Sequence, residues 1–217
     1  MSLSPRSIAS VCIDLGAGVA PYREALLQSF NIAIYIAVDI APTSNTTLLA
    51  SAECLPFRDE SVDLVVSFDT IQHVRSPESM LDEVTRVLRT GGEALFTFPF
   101  MYPECDAHDF HRWTLEGMKS DLERRGLEII FIKRRGSSLF ASACALNWWA
   151  QHLIPGQRVD WRSKHNLSSV AKALIIQVVT IPTQILLWVG LGADLVLPES
   201  GYYMGGSVFV RKVSNAP

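Results

Sequence analysis

Short apolar runs alternating with helical periodicity constrain this chain more than any other feature. Ser10–Leu15 reads SVCIDL, Ile32–Ile40 reads IAIYIAVDI, Val62–Phe68 reads VDLVVSF and Glu93–Phe98 reads EALFTF. Each is short for a buried helix and apolar at most positions, so each predicts a strand covered on both faces. Between them, Tyr22–Phe30 places apolar residues at helical spacing. Ser76-Pro77 opens a second helix, with Met80, Leu81, Val84, Val87 and Leu88 on one side and Gly91-Gly92 as its expected stop. Thr114 reads as the N-cap of a third helix that runs to about Arg125 and ends at Gly126. Pro42–Thr47 reads as loop, and Leu127–Ile132 and Ser207–Val210 as two further strands. Alternation of this kind predicts an α/β fold, doubly wound over about residues 8–135, with ligands outside the carboxyl ends of the strands.

At the end of the first run stands Asp14-Leu-Gly16-Ala-Gly18. Glycines there let a backbone approach a ligand closely. A nicotinamide fingerprint would want a third glycine where this chain has Pro21. A carboxylate at Asp14 would repel a pyrophosphate and suit a ligand carrying an ammonium and a sulfonium. A cap on the following turn is the other reading of Asp14.

At these residues the sequence resembles the class I S-adenosylmethionine (SAM)-dependent methyltransferases, and within them the type-11 methyltransferase domain. VCIDLGAG is similar to the family's glycine loop, Asp39 to its ribose-binding acid, and the segment from Ala52-Glu53 to Phe57 to the one that packs on adenine. SVDLV, Gln72-His73-Val74 and LRTGGEALFTFP follow in the family's order. One position departs: Ser51 stands where the family commonly has an acid that accepts from the adenine amino group, though a hydroxyl also accepts one hydrogen bond. The resemblance implies a Rossmann-like, mostly parallel seven-stranded sheet with helices on both faces. It implies S-adenosyl-L-methionine as cofactor, held by Asp14, Gly16, Ala17, Gly18, Asp39, Ile40, Ala52, Glu53, Ser67 and His73. A packed or water-bonded His73, or a His73 acting as a base, are the other readings of that residue. No metal is expected. A nicotinamide-dependent oxidoreductase and a catalytically silent methyltransferase-like binding protein are the competing functions.

Pro99–Trp113, PFMYPECDAHDFHRW, gathers polar, titratable and aromatic groups after the fifth strand of that fold. DFHRWT resembles a run in a subset of these methyltransferases, often encoded among polysaccharide or glycan genes. His108, His111 and Asp109 are the candidate catalytic residues; Tyr102, Arg112 and Trp113 are the candidates for substrate binding, with Arg112 gripping an anionic group. The alternative is that Arg112 and Asp109 pair with each other and fix the loop. The acceptor is expected to be a small molecule or a hydroxyl of a glycan or lipid-linked intermediate.

The family's last two strands usually form a tight hairpin; here about seventy residues intervene. The reading is a methyltransferase core over 1–135, an apolar helical insertion over 136–200, and the last strand and tail over 201–217. Residues 136–157 and 173–193 contain no Lys, Arg, Asp or Glu. Residues 1–135 carry 13 basic and 19 acidic residues, whereas residues 136–217 carry 6 and 3. A polar stripe at Gln177, Thr180, Thr183 and Gln184, a kink at Pro182, basic flanks and Trp148, Trp149, Trp161 and Trp188 suit a helical hairpin lying on an anionic membrane surface. A packed cap, a homodimer face through the insertion and a true span are the alternatives. The net charge of −3 argues against a nucleic-acid partner. Four scattered cysteines without a C-x-x-C pair read as buried free thiols. With no signal peptide, that fits a cytoplasmic protein, peripheral on the cytoplasmic face of the membrane if the insertion docks there.

Overall fold

The computed structural model describes residues 10–105, 107–136, 140–146, 185, 189 and 203–214. Its elements in chain order are β1 (Ser10–Leu15), α1 (Arg23–Ser29), β2 (Ile32–Asp39), β3 (Leu48–Leu49), β4 (Val62–Phe68), α2 (Pro77–Val87), β5 (Leu88–Pro99), α3 (Leu115–Glu123), β6 (Leu127–Arg135) and β7 (Gly205–Lys212). The seven strands form one sheet in the order β3-β2-β1-β4-β5-β7-β6. β1 pairs in parallel with both β2 and β4, β2 with β3, and β4 with β5. The chain thus winds outward from β1 to β3 and then crosses back to β4. The carboxyl ends of β1 and β4 flank the point where the winding reverses, the usual ligand position in such sheets.

Alternate side chains of the central strands feed two cores. Ile13, Leu15, Val65, Phe96 and Phe98 meet Met80, Leu81 and Val84 of α2 and Met118 and Leu122 of α3. Cys12, Leu64 and Val66 meet Leu26 of α1 and Phe209 of β7. Helices therefore cover both faces, as the near-continuous apolar strands require. Thr114 caps α3, its hydroxyl accepting from the Gly117 amide at 3.0 Å.

Two local expectations need correction. Gly91-Gly92 does not end the second helix. Leu88 already turns extended and pairs with Val62, so α2 stops at Val87 and both glycines lie within β5. The cysteines are free, but Cys54 and Cys105 are exposed, because each lies in a loop rather than on a strand; only Cys12 is fully enclosed.

The chain divides into two compact units. One comprises Met1–Phe100, Glu104–Lys133 and Gly206–Pro217, and the other Met101–Pro103 and Arg134–Gly205. In the second, residues 140–146 are helical and the Met204 amide donates to the Arg135 carbonyl at 2.9 Å. Nearly all of the expected insertion, including its four tryptophans and Pro182, lies outside the described residues. Among the described residues, no helix is long and apolar enough to cross a membrane.

Candidate active site

The loop after β1 is tied down by its neighbours. The Gly16 and Ala17 amides both donate to the Val38 carbonyl, at 2.8 and 3.2 Å. Gly16 has φ +68, and a Cβ there would lie 2.2 Å from Thr70 Cγ2, so only glycine lets the loops after β1 and β4 close on each other. Gly18 has φ +54 and nothing within 4 Å of where a Cβ would sit. At the end of β2, Asp39 accepts from the Gly18 and Ala41 amides, each at 2.9 Å.

A cavity of about 670 Å³ opens above these strand ends, lined by Gly16, Asp39, Ile40, Ala52 and Glu53. The same cavity is lined by Asp69, Thr70, His73, Arg75, His108 and Phe110. Five of the ten expected cofactor residues thus line it together with His73, a sixth. Asp14 is buried behind the loop, 2% exposed, and accepts from the Tyr35 hydroxyl at 2.5 Å. Burial raises its carboxyl to about 6; the nearby Asp39 charge adds to this, and the Tyr35 bond opposes it. The turn-cap reading of Asp14 thus gives way to a bond across to β2.

Ser67 lies on β4 but is 0% exposed, its hydroxyl buried; the cavity is lined by its neighbours Phe68 and Asp69. Glu53 is at the cavity, yet one of its oxygens accepts from the Ser76 amide at 2.7 Å, at the start of α2. Ser51 accepts from the Glu53 amide at 3.2 Å, within its own turn.

The loop from 104 to 113 is organised by an ion pair. Arg112 binds both carboxylate oxygens of Asp109, one at 2.7 Å, and Asp109 also accepts from the Cys105 amide. The Arg112 bond, more than anything else, lowers the Asp109 carboxyl to about 2. This is the loop-fixing alternative, and it occupies both residues. Phe110 donates its amide to the Gln72 carbonyl at 2.8 Å, pinning the loop to the 3-10 turn Ile71–His73. His73 Nδ1 lies 3.2 Å from the His108 carbonyl, and His111 Nε2 lies 3.4 Å from the Arg75 carbonyl. A carbonyl only accepts, so each contacting ring nitrogen carries the proton. Of the three catalytic candidates, only His108 lines the cavity. Trp113, expected to bind substrate, is 8% exposed and belongs to the core, where its flat apolar ring outweighs its one polar atom; its indole donates to Asp121 at 3.3 Å. Tyr102 lies in the second unit and is exposed.

Asp69, Thr70 and Phe110 fall within the strand-end segments 67–74 and 99–111 where the sequence places a ligand, though none of them stands out individually there, and Arg75 lies just beyond. Asp69 carried one signal, its place at a strand end of a parallel sheet, and it adopts φ +47, a strained backbone typical of ligand sites.

Residues 13–96 match the family described as a methyltransferase domain. A malonyl-[acyl-carrier protein] O-methyltransferase of Methylococcus capsulatus is 34% identical over 98 residues, which cover 39% of this chain and 36% of that protein. A sarcosine/dimethylglycine N-methyltransferase of Halorhodospira halochloris is 43% identical over 56 residues, covering 26% of this chain and 20% of that one. The chain spans less than half the length of each of these curated relatives. Among solved structures, Haemonchus contortus phosphoethanolamine N-methyltransferase 2 in complex with S-adenosyl-L-methionine superposes with a TM-score of 0.58 at 14% identity, covering 97% of this chain and 50% of that one.

Proposed function

From the premise that residues 13–96 are a methyltransferase domain of the class I, SAM-dependent kind, we propose that this protein moves a methyl group from SAM to an acceptor hydroxyl. The observation that carries the reading is a single cavity that joins Gly16, Asp39 and Glu53 to His73 and His108. The residues fit the cofactor. Open space beside Gly18 lets a ligand come close to the backbone of the loop, and the carboxylate of Asp39 at the end of β2 suits ribose hydroxyls. Asp14, behind the loop, suits a cationic ligand electrostatically.

When bound, SAM supplies a methyl already activated on a sulfonium. The chain's own work is then orientation and proton handling. The loop pinned by Phe110 to Gln72 and by Arg112 to Asp109 holds His108 at the cavity. A hydroxyl nucleophile must lose a proton. His73 and His108 are the groups at the cavity with ring nitrogens suited to receive it. With Nδ1 of His73 protonated toward the His108 carbonyl, its Nε2 is the basic nitrogen.

The acceptor is a small or amphiphilic molecule, a hydroxyl of a glycan or lipid-linked intermediate. This is supported by the glycan-associated DFHRWT run and the charge-free stretches of 173–193 and 136–157. The same stretches, with their basic flanks, support docking of residues 136–200 on an anionic membrane surface.

Calorimetric titration with SAM, S-adenosylhomocysteine and NAD tests the cofactor. The first two are expected to bind and NAD is not. Asp39→Ala is expected to weaken SAM binding by about 1.5–3 kcal/mol through lost charge-assisted bonds. Unchanged SAM affinity in that variant would remove Asp39 from the cofactor site. Binding of NAD alone would overturn the methyltransferase reading.

A further inference from the structure

Arg75 is a cation at the cavity that no carboxylate among the described residues pairs with. Elsewhere in the fold, Arg86 pairs with Glu83, Arg112 with Asp109, Arg125 with Asp82 and Arg211 with Glu93. Among the described residues, no acidic group pairs with Arg75. Glu53, brought close through its bond to the Ser76 amide, makes no ion pair with it. The Arg75 guanidinium instead lies over the Phe110 ring, 5.3 Å from its centroid. Phe110 is fixed in turn by its amide bond to Gln72, and the Arg75 carbonyl is approached by His111. A cation–π contact attracts the guanidinium to the ring and leaves its N–H donors for a partner.

The electrostatics call for an anionic partner. A sulfonium entering this cavity is repelled by a further cation, so an anion is expected beside it, either the carboxylate of SAM itself or an oxyanion on the acceptor. Arg112, the arginine the sequence offered for gripping an anion, is occupied by Asp109. Arg75 has the chemistry and the position.

We infer that Arg75, over the Phe110 ring in the cavity, grips an oxyanion, carboxylate or phosphate, on the methyl acceptor. The inference rests on the methyl-transfer reading above for calling that molecule an acceptor. A forked guanidinium edge matches the two oxygens of either group, and such bonds are roughly twice as strong as neutral ones.

The test titrates protein saturated with S-adenosylhomocysteine with malonate, with inorganic phosphate and with neutral dimethyl malonate, in separate arms. One or both anions are expected to bind the wild type, and the neutral ester is not; which anion binds identifies the group. Arg75→Gln should weaken anion binding about ten- to a hundredfold, Arg75→Lys should recover part of it, and both variants should hold S-adenosylhomocysteine like the wild type. The inference is overturned if neither anion binds the wild type, if Arg75→Gln binds them equally well, or if the ester binds as well as malonate. Loss of S-adenosylhomocysteine affinity in Arg75→Gln would also overturn it, because Arg75 would then serve the cofactor carboxylate. If S-adenosylhomocysteine fails to bind the wild type while Arg75-dependent anion binding persists without it, the methyl-transfer reading falls and the oxyanion site stands.

Discussion

Gly16 and Gly18 share a left-handed backbone but differ in what surrounds them. Alanine at 16 would meet Thr70 as well as an unfavourable φ, so Gly16→Ala is expected to lose about 2–5 kcal/mol in a denaturant melt. Alanine at 18 meets only the backbone cost, about 1–2 kcal/mol, and its methyl occupies the open space beside the loop, where the proposed cofactor would approach. Gly18→Ala should therefore stay folded and lose SAM affinity in calorimetry. The two glycines were legible as one motif from their spacing, but their different duties were not, because Thr70 lies far along the chain. Asp14 yields a pH test. Its folded carboxyl, raised from 3.8 to about 6, holds its proton more tightly than the unfolded one. Its contribution to stability therefore falls as pH rises from about 4 to about 6. Asp14→Asn should become progressively more stable relative to wild type across that window, measured by chemical denaturation at each pH. A cationic ligand favours the ionised form, so wild-type SAM affinity should rise through the same window and flatten in the variant. Asp109 runs the other way. Lowered to about 2, it contributes stability above about 4 that is lost only in strong acid.

Among the elements, α2 does more than cover the sheet. Arg86 near its end binds Glu83 and Asp59 and donates to the Phe57 and Leu55 carbonyls at 2.8 and 3.0 Å. Glu83 also accepts from the Leu55 amide at 2.6 Å, and its carboxyl is lowered mainly by the Arg86 bond. The helix thus clamps the segment that follows Ala52-Glu53. Arg86→Ala should cost about 1–3 kcal/mol by stranding those carbonyls and should weaken SAM binding while leaving Arg75 in place. Thermal melts with and without SAM separate the two effects. The helix itself was legible from Ser76-Pro77 and its apolar spacing. Its end was not, because pairing of Leu88 with Val62 outweighed the local stop signal of two glycines. The two-residue β3 was invisible for a similar reason: Leu48–Leu49 is strand only because β2 lies beside it. In the loop after β5, composition marked a site but could not say which side chains face inward. Trp113 went to the core and Arg112 to Asp109.

For the whole molecule, the parallel sheet and the match of residues 13–96 to a methyltransferase domain were legible because strand periodicity and the glycine loop agree along the first hundred residues. The segment from 136 to 200 was legible only as apolar and charge-poor. Sedimentation with vesicles of rising anionic lipid content, at low and high salt, measures its proposed role. Binding should rise with anionic content and fall with salt, each basic residue contributing about 1 kcal/mol near the surface. Binding indifferent to lipid charge, or a stable lipid-free dimer, would assign the segment to a packed cap or subunit face. One feature of the sheet governs time as well as space. The loops after β1 and β4 meet through Gly16 and Thr70, 54 residues apart, and Asp63 of β4 accepts from the Val11 amide, 52 residues away. Contacts of such separation form only after a long loop closes. The cofactor site thus has no precursor in a partly folded chain. SAM then acts on the lifetime of the finished fold by slowing its unfolding, and leaves the speed of folding to the sheet.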